Sequence, residues 1–484
     1  MKQTVASDAL KLTISKIITL SISMVTAMLL SRFRTLEEYG TYSQILLVVN
    51  LCTTIFMAGL PNSINYFLAR TDDLKERENF LSIFYSLSTG LSLLSGLVLV
   101  LSVPLIELYF NNPGITKFVY VLALFPWTKI IMATIDHVLI VYKKMYYIMA
   151  YRVLNSFCLL LIVVLVQILQ LGFAHYMVLF VVVEGIFALS VYFVVRKIAS
   201  KIKLHFDVNL IKIILKFSIP IGLATSVGTF KREIDKLMIG WFYDTESLAI
   251  YTNAGKELPV AIIASAITAV LLPQMVRMIK KNQHNEAIEL WSNATLFSYT
   301  IIALIASGIF VYADEVMELL YSDKYISGVP VFRVYALALL FRCTYFGMLL
   351  NAKGKTRLVF NASLASLVVN VIFNFIMYFF FGFIGPAIAT LLATLVSALY
   401  QLIETSKVMH ISIKDVFPWK KMLLITIINV AFGASFAIIK KLVHLELFRG
   451  ELLESIALGL VWSLVYLLLN YKKLKSYWHV LNAD

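Results

Sequence analysis

Apolar runs of about 20 residues recur along the whole chain, separated by short polar connections. An α-helix needs a run of this length to cross the hydrocarbon core of a bilayer. Shorter segments of alternating polarity, which mark membrane barrels, do not occur, so helices are expected. The pattern predicts fourteen spans at about residues 10–31, 39–60, 80–102, 118–141, 148–170, 175–196, 213–241, 248–273, 291–311, 329–350, 357–381, 384–406, 419–440 and 451–470.

Composition agrees with an all-α polytopic membrane protein. Hydrophobic residues make up 60% of the chain and charged residues 14%, against about 25% charged in soluble domains. The connections between spans are short, which excludes a soluble catalytic domain, and we expect a protein that is not an enzyme. The cysteines lie singly inside apolar runs and predict neither a disulfide framework nor a metal site. Met1–Lys16 lacks the pattern of a cleavable signal peptide.

The distribution of lysine and arginine predicts the orientation in the membrane. With fourteen spans, 28 of the 42 basic residues fall on the side of the N-terminus. Basic loops stay on the cytoplasmic side, so both termini are predicted to be cytoplasmic. Such loops beside anionic headgroups explain the net charge of +14 without any nucleic-acid partner. Eight basic residues fall on the outer side, namely Arg32, Arg34, Lys117, Lys324, Arg333, Lys440, Lys441 and Arg449.

Short motifs repeat between the two halves of the chain at offsets of 209 to 215 residues. Tyr42 corresponds to Tyr251, and Glu107-Leu-Tyr-Phe110 resembles Glu318-Leu-Leu-Tyr321. A parallel repeat of this kind predicts two six-helix lobes in the same orientation plus a C-terminal helix pair. The predicted domains are an N-terminal lobe (1–198), a basic interfacial linker (199–212), a C-terminal lobe (213–406), and helices 13 and 14 with a cytoplasmic tail (407–484).

The seventh span carries an unusual concentration of charge. Five ionisable residues occupy six positions: Lys231, Arg232, Glu233, Asp235 and Lys236. A charge at the bilayer centre costs roughly 2.5–3.5 kcal/mol, so such residues face protein or a wet cavity. The repeat predicts a span that continues to about Gly240, with the charges near mid-membrane. The alternative interpretation ends the span at Phe230 and makes the following residues an external loop.

At these residues the chain resembles a family of transporters. The motifs are Asp235-Lys-Leu-Met-Ile-Gly240 with Tyr251, Leu271-Leu-Pro273, Asn351-Ala-Lys-Gly-Lys-Thr356 and Gly382-Phe-Ile-Gly-Pro-Ala-Ile-Ala-Thr390. Together they resemble the polysaccharide repeat-unit flippases, of O-antigen and capsule type, in the multidrug/oligosaccharidyl-lipid/polysaccharide (MOP) superfamily. The resemblance covers nearly the whole chain. One departure is Ala249, where the family usually has glycine two residues before the tyrosine.

The resemblance implies a transporter that moves undecaprenyl-diphosphate-linked oligosaccharide from the cytoplasmic to the outer leaflet by alternating access. It would serve surface polysaccharide biosynthesis in a bacterial or archaeal inner membrane. The implied partners are the lipid-linked oligosaccharide, membrane lipids, and the polysaccharide polymerase and chain-length machinery. No cofactor is expected, and coupling to a proton or to sodium stays open.

The chemistry of the cargo singles out the cations in and near the seventh span. Arginine can bind phosphate bidentately, whereas lysine acts as a point charge. We therefore expect Arg232 and Lys236 to bind the diphosphate with Lys231 in support, and Arg342 in the tenth span to be a second anion contact. The alternative is that the charges of the seventh span pair among themselves and stiffen the helix.

Three membrane-embedded carboxylates are candidates for ion coupling or for balancing the cations. Asp235 lies one turn from Lys231 and can act as counter-ion or coupling group. Asp136 shares a helix face with Lys129 and is either part of a proton-linked element or a static contact between helices. Glu184 carries a proton or cation, or makes a lone interhelical hydrogen bond.

Other functions fit the same architecture. A lipid II flippase for peptidoglycan would have the same fold and a different sugar. A multidrug extruder of the same superfamily would need exposed carboxylates for organic cations, and the surplus of cations opposes it. A polytopic polymerase or glycosyltransferase acting on the same lipid carrier would show a large external loop rich in ionisable residues, and the connections here are short.

Overall fold

The structure, a computed structural model, describes residues 5–199, 203–256, 258–442 and 451–482. These residues form α-helices and short 3-10 turns, with no strand among them. The first ten helices are α1 (Val5–Phe33), α2 (Leu36–Met57), α3 (Leu60–Arg70), α4 (Leu74–Leu101), α5 (Val103–Phe110), α6 (Val119–Val141), α7 (Met145–Ile168), α8 (Phe173–Ala199), α9 (Val208–Phe242) and α10 (Thr245–Ala254). The others are α11 (Ile262–Lys280), α12 (His284–Val311), α13 (Ala313–Tyr321), α14 (Val329–Leu339), α15 (Met348–Ala352), α16 (Thr356–Phe381), α17 (Gly385–Met409), α18 (Ile413–Val416), α19 (Trp419–Leu442) and α20 (Glu451–Asn482).

Thirteen helical stretches of the described chain are long and apolar enough to cross a bilayer. One of them, Thr356–Met409, has 54 residues and contains both α16 and α17, joined by the 3-10 turn Gly382–Ile384. Each of these two helices is itself long enough to cross, so the thirteen stretches supply the fourteen expected crossings. The prediction of an all-α polytopic membrane protein is confirmed.

Helices break inside two of the predicted spans and at the predicted end of a third. The second breaks at Ala58 and Gly59, both in the left-handed backbone region, with φ of 46° and 71°. In the eighth, α10 and α11 are separated by a 3-10 turn at Pro259–Ala261, because proline has no backbone N–H and favours the first turn of a new helix. The tenth leaves helical geometry at residues 343–347, between α14 and α15. The sequence analysis predicted none of these breaks, although polar or charged residues stand close to them at Asn62, Lys256 and Arg342.

Packing divides the chain into two compact units, Met1–Thr252 and Asn253–Asp484. Helix α9 belongs to the first unit, where it packs on α2, α3, α4 and α5. This boundary lies after α9, whereas the sequence repeat places the boundary in the linker 199–212. The division into two six-helix lobes therefore stays a prediction, distinct from how the helices pack in this structure.

Within the first unit, the backbone of α9 lies in direct contact with the backbone at the break between α2 and α3. A Cβ atom on Gly222 would lie 2.3 Å from the carbonyl carbon of Ala58. A Cβ atom on Gly59 would lie 2.5 Å from the backbone nitrogen of Gly222 and from the Ser218 carbonyl oxygen. Small residues allow helices in membranes to approach this closely, and the gain is in van der Waals packing. The two glycines therefore fix where α9 crosses the first unit.

The chain segment before α9 lies against α4. The Lys203 backbone N–H donates to Ser82 Oγ at 3.1 Å, and the His205 N–H donates to Ser86 Oγ at 3.2 Å. The apolar side chain of Leu204 points to the outside of the unit and is exposed. Residues 200–202 of the predicted interfacial linker lie outside the described chain.

The internal repeat is visible in the order of the elements. In the first unit, α4 is followed by α5, by the 3-10 turn Pro113–Phe118 and by α6. In the second unit, α12 is followed by α13, by the 3-10 turn Asp323–Gly328 and by α14. The motifs Glu107–Phe110 and Glu318–Tyr321 end α5 and α13, respectively. The sequence repeat thus marks equivalent short helices.

Helices α19 and α20 pack on α12 through buried polar side chains. Asn429 Nδ2 donates to the Tyr466 hydroxyl at 2.8 Å, and Ser307 Oγ donates to Asn429 Oδ1 at 3.2 Å. The Tyr466 hydroxyl also bonds the Thr300 carbonyl oxygen at 3.3 Å. Hydrogen bonds between membrane helices contribute about 0.6–2 kcal/mol each. The C-terminal pair is therefore attached to the second unit by specific contacts as well as by apolar packing.

We expect Gly222→Ala to destabilise the protein, because the added methyl group meets the Ala58 backbone. Overpacking of this kind costs on the order of 1–3 kcal/mol. The measurement is the unfolding temperature of the purified protein in detergent. Gly90→Ala on α4 is the matched control, since a Cβ there has no atom within 4 Å. Equal unfolding temperatures for the two variants would contradict the close approach.

Candidate functional site

Helix α9 runs without a break through the charged stretch and ends at Phe242. The residues from Lys231 to Phe242 therefore belong to a helix and do not form an external loop. The helix has 35 residues and is about 52 Å long, which exceeds the hydrocarbon thickness of about 30 Å. Lys231 and Lys236 lie eleven and six residues before its end, or about 17 and 9 Å along the axis. If α9 ends at the outer interface, Lys231 lies at about half the depth of the membrane.

The two cations expected to bind anion differ in their surroundings. Arg232 is exposed on the surface of α9, and its Nη2 donates to Thr229 Oγ1 at 3.0 Å. No ion pair of Arg232 occurs within the described chain. Lys236 is less exposed, and its Nζ lies 2.8 Å from Glu233 Oε2 on the preceding turn. The lysine charge is thus balanced locally, whereas the guanidinium has only a hydroxyl partner among the described residues.

Asp235 is buried, with 2% of its surface exposed. The hydroxyl of Tyr251 on α10 lies 3.5 Å from its Oδ2. Tyr251 is one of the residues that carry the family resemblance, and this contact gives it a physical role in joining α10 to α9. A carboxylate one turn from Lys231 fits the expected role of counter-ion.

Asp136 pairs with Arg152, near the start of the fifth predicted span. Its Oδ2 accepts a hydrogen bond from Arg152 Nε on α7 at 3.0 Å, and the Arg152 Nη2 bonds the same oxygen. Lys129, the expected neighbour, instead places its Nζ 4.9 Å from the centre of the Phe125 ring. Of the two roles considered for Asp136, this geometry is that of a static contact between helices.

Glu184 is 4% exposed on α8 and accepts a hydrogen bond from Asn155 Nδ2 on α7 at 3.2 Å. Within the described chain no cation lies at ion-pair distance from this carboxylate. Glu184 therefore differs from Asp136, since its partner is a neutral amide. Ionisable groups at membrane depth that face the protein interior commonly mark proton or ion pathways.

The sequence analysis missed the polar side chains that accompany these carboxylates. Arg152 and Asn155 are three residues apart on α7, so one helix face reaches both Asp136 and Glu184. Beside Asp136, His137 Nδ1 lies 2.9 Å from Asn65 Nδ2 on α3. A polar pair with helical spacing inside an apolar span is the signal that could have identified Arg152 and Asn155.

Arg342 lies in the second unit, at the end of the 3-10 turn Leu340–Arg342 that follows α14. The next five residues are not helical, and Thr344 Oγ1 among them accepts hydrogen bonds from Trp291 Nε1 and Thr295 Oγ1, each at 3.0 Å. These side-chain hydrogen bonds attach the non-helical segment to α12. Interrupted helices are also typical of substrate and ion sites in transporters, which is a reason to retain Arg342 as a candidate.

Within the described chain, no group of three or more His, Cys, Asp or Glu side chains is arranged to hold a metal ion. Cys52, Cys158 and Cys343 are free thiols.

We expect Asp136→Asn and Arg152→Gln each to lower the stability of the protein, and the double variant to lose less than the sum. The pair is partly exposed, so each loss should be on the order of 1–3 kcal/mol, between an exposed and a buried ion pair. A double-mutant cycle from thermal unfolding in detergent measures the coupling. Strictly additive losses would contradict the ion pair.

The sequence matches the profile of a known protein family. The profile of the family described as polysaccharide biosynthesis protein matches residues 29–330, which is more than half of the chain. Comparison with curated protein sequences gave no significant match.

Solved structures with the same fold come from transporters. The lipid II flippase MurJ, in an inward closed conformation, aligns with a TM-score of 0.77 over 95% of this chain and 98% of its own, at 16% identity. A MATE protein in complex with MaL6 aligns with a TM-score of 0.56 at 17% identity, over 83% of this chain and 96% of its own. A MOP superfamily transporter from Pyrococcus furiosus gives 0.52 at 16% identity, with the same coverage. At such identities the likeness shows the fold, while the profile match shows the family. This chain belongs to the polysaccharide biosynthesis protein family and has the fold of MOP superfamily transporters, which confirms the resemblance found in its sequence motifs.

Proposed function

We propose that this protein is a flippase that carries undecaprenyl-diphosphate-linked oligosaccharide repeat units from the cytoplasmic to the outer leaflet. The observation that carries the proposal is the exposed guanidinium of Arg232 on a membrane-spanning helix, in a chain of the polysaccharide biosynthesis family. A guanidinium without a carboxylate partner in the described chain can bind a phosphate in bidentate geometry. The fold, shared with transporters, supports movement of a ligand rather than its chemical conversion.

The binding step follows from electrostatics. A diphosphate entering a low-dielectric region loses its hydration, and a fixed cation offsets part of that loss. Arg232 exchanges a hydroxyl partner, Thr229, for phosphate oxygens. Lys236 would add its charge by turning from Glu233, and Lys231 lies on the same stretch of helix. Asp235 balances these cations when no anion is bound. Arg342, in the second unit, is retained as a further candidate contact for an anion.

The cellular setting of the proposal follows the predicted topology. The protein acts in the inner membrane of a bacterium or archaeon, with both termini in the cytoplasm and no cofactor. Its partners are the lipid-linked oligosaccharide and membrane lipids, and the flipped product passes to the polysaccharide polymerase and chain-length machinery.

We propose further that transport is coupled to a proton through Glu184. Asp136 is ion-paired with Arg152, whereas Glu184 bonds only the neutral Asn155 within the described chain. A buried carboxyl group with a neutral partner can gain and lose a proton without breaking an ion pair.

We expect Arg232→Ala to abolish or reduce surface glycan at least tenfold, because one bidentate phosphate contact is lost. Arg232→Lys should retain part of the activity, since it keeps the charge and loses the bidentate geometry. The measurement is surface glycan in a deletion strain that expresses each variant, with the amount of protein in the membrane determined in parallel.

Arg196→Ala is the matched control, an exposed arginine in the last turn of α8. It should leave surface glycan unchanged. Normal glycan from Arg232→Ala at normal membrane levels would overturn the assignment of the anion site.

We expect Glu184→Gln to make transport insensitive to an imposed pH gradient, because the glutamine keeps the hydrogen bond to Asn155 and cannot titrate. Asp136→Asn should keep the response to the gradient. The measurement is translocation of lipid-linked oligosaccharide in proteoliposomes with and without a pH difference. A full response from Glu184→Gln, or its loss in Asp136→Asn alone, would contradict coupling through Glu184.

A second candidate function is supported by the structural comparison. The lipid II flippase aligns over 95% of this chain, whereas the MATE protein aligns over 83%. A lipid II flippase would bind the same diphosphate with a different glycan. Rescue of growth in cells depleted of their lipid II flippase would favour it, and restored surface glycan without such rescue would favour the repeat-unit flippase.

A further inference from the structure

A cavity of about 710 Å³ opens in the first unit where α9 ends and α10 begins. Its other walls come from the first turn of α2, the end of α5 and the 3-10 turn that follows it. Small-molecule sites commonly measure about 300–1,000 Å³. The predicted topology places this cavity on the outer side of the membrane. Neither the anion site nor the proposed proton coupling uses it.

One wall of the cavity is aromatic and held in position. Trp241 is 56% exposed, and its ring centre lies 4.9 Å from that of Tyr109. The Tyr109 hydroxyl donates to the Leu237 carbonyl oxygen at 2.9 Å, which attaches α5 to the last turns of α9. The Phe110 ring packs on Gly240, where a Cβ atom would lie 2.4 Å from Cε1. These contacts hold Trp241 in position, with one face of its ring exposed.

Another part of the lining is polar and is held by the buried side chain of Asn112, whose amide group makes three hydrogen bonds. Its Nδ2 donates to Thr41 Oγ1 at 2.9 Å and to Gln44 Oε1 at 2.7 Å. Its Oδ1 accepts from the Gly114 N–H at 2.9 Å. Gln44 Nε2 in turn donates to Thr245 Oγ1 at 3.1 Å, which ties α2 to α10. These hydrogen bonds form a network that connects α2, α10 and the 3-10 turn after α5, which together line the cavity.

The rim of the cavity is acidic. Glu37, Asp244 and Glu246 line it and are exposed, with Lys117 as the cation in the lining. Three carboxylates against one ammonium repel a diphosphate, so the cavity is unsuited to the charged part of a lipid carrier. Carboxylates accept hydrogen bonds from hydroxyl groups, and these bonds are stronger than those between neutral groups.

We propose that this cavity binds the saccharide part of the cargo, with the apolar C–H face of a sugar ring on Trp241 and its hydroxyl groups on the acidic rim. This inference rests on the proposed flippase function and adds a second subsite to it. Trp241 follows Arg232 by nine residues, or about 14 Å along α9, so one helix presents a cation for the diphosphate and an aromatic face for the glycan. The acidic rim repels the diphosphate, so the saccharide part and not the diphosphate binds in the cavity.

The test uses the full-length protein in lipid nanodiscs. The probe is the free oligosaccharide that mild acid releases from the lipid-linked pool of the expressing cell, without lipid or diphosphate. Saturation-transfer NMR and titration should show saturable binding to the wild type, weakened at least tenfold by Trp241→Ala and several-fold by Glu246→Gln. Trp478→Ala is the matched control, because this tryptophan is 51% exposed on α20, outside the cavity, and should leave binding unchanged. Inorganic pyrophosphate should not compete.

Absence of saturable binding to the wild type would overturn the proposal, as would equal binding by the Trp241 and Trp478 variants, or displacement by pyrophosphate. If Trp241→Ala unfolds at a lower temperature than the wild type, Glu246→Gln decides the outcome, since it changes one exposed oxygen. The probe carries no diphosphate, so this result is independent of the Arg232 test. Loss of surface glycan in Arg232→Ala without saccharide binding here would leave the flippase proposal standing and remove the cavity from it.

Discussion

The cost of holding charge in a low-dielectric medium governs the structure around α9. Each ionisable group on this helix has to be paired, buried beside a hydroxyl or turned toward polar surroundings. Lys236 pairs with Glu233, and Asp235 is buried under Tyr251. Arg232 alone among these four residues is exposed with a hydroxyl as its partner in the described chain. The same physics that penalises an unpaired cation gives that cation a strong preference for an anionic ligand.

Two close contacts hold α9 in the first unit, one before and one after the charged stretch. Gly222 meets the break between α2 and α3, and Gly240 meets Phe110 at the end of α5. The contact at Gly222 is with the Ala58 backbone and the contact at Gly240 is with the Phe110 ring, whereas the stretch between them is only partly covered. A charged segment held at both ends presents its side chains in a defined direction, as the proposed binding of a diphosphate and a glycan to one helix requires.

The remaining membrane-embedded polar groups form distinct arrangements in the two units. In the first, α7 contacts α6 through the ion pair of Arg152 with Asp136, and it contacts α8 through the hydrogen bond from Asn155 to Glu184. In the second, the interruption after Arg342 is stabilised by Thr344, and Asn429 attaches the C-terminal helices. In each case the hydrogen bond replaces one that water cannot supply in the hydrocarbon region.

By itself the sequence determined the helical class, the number of crossings, the family and the charged segment of α9, because apolar run length and local motifs are properties of neighbouring residues. It also indicated that α9 continues to about Gly240. Tertiary structure alone decided that Asp136 pairs with Arg152, that Gly59 meets Gly222, and that a cavity forms beside Trp241. These features join residues 16 to more than 100 positions apart, and an apolar pattern does not specify which helix faces meet.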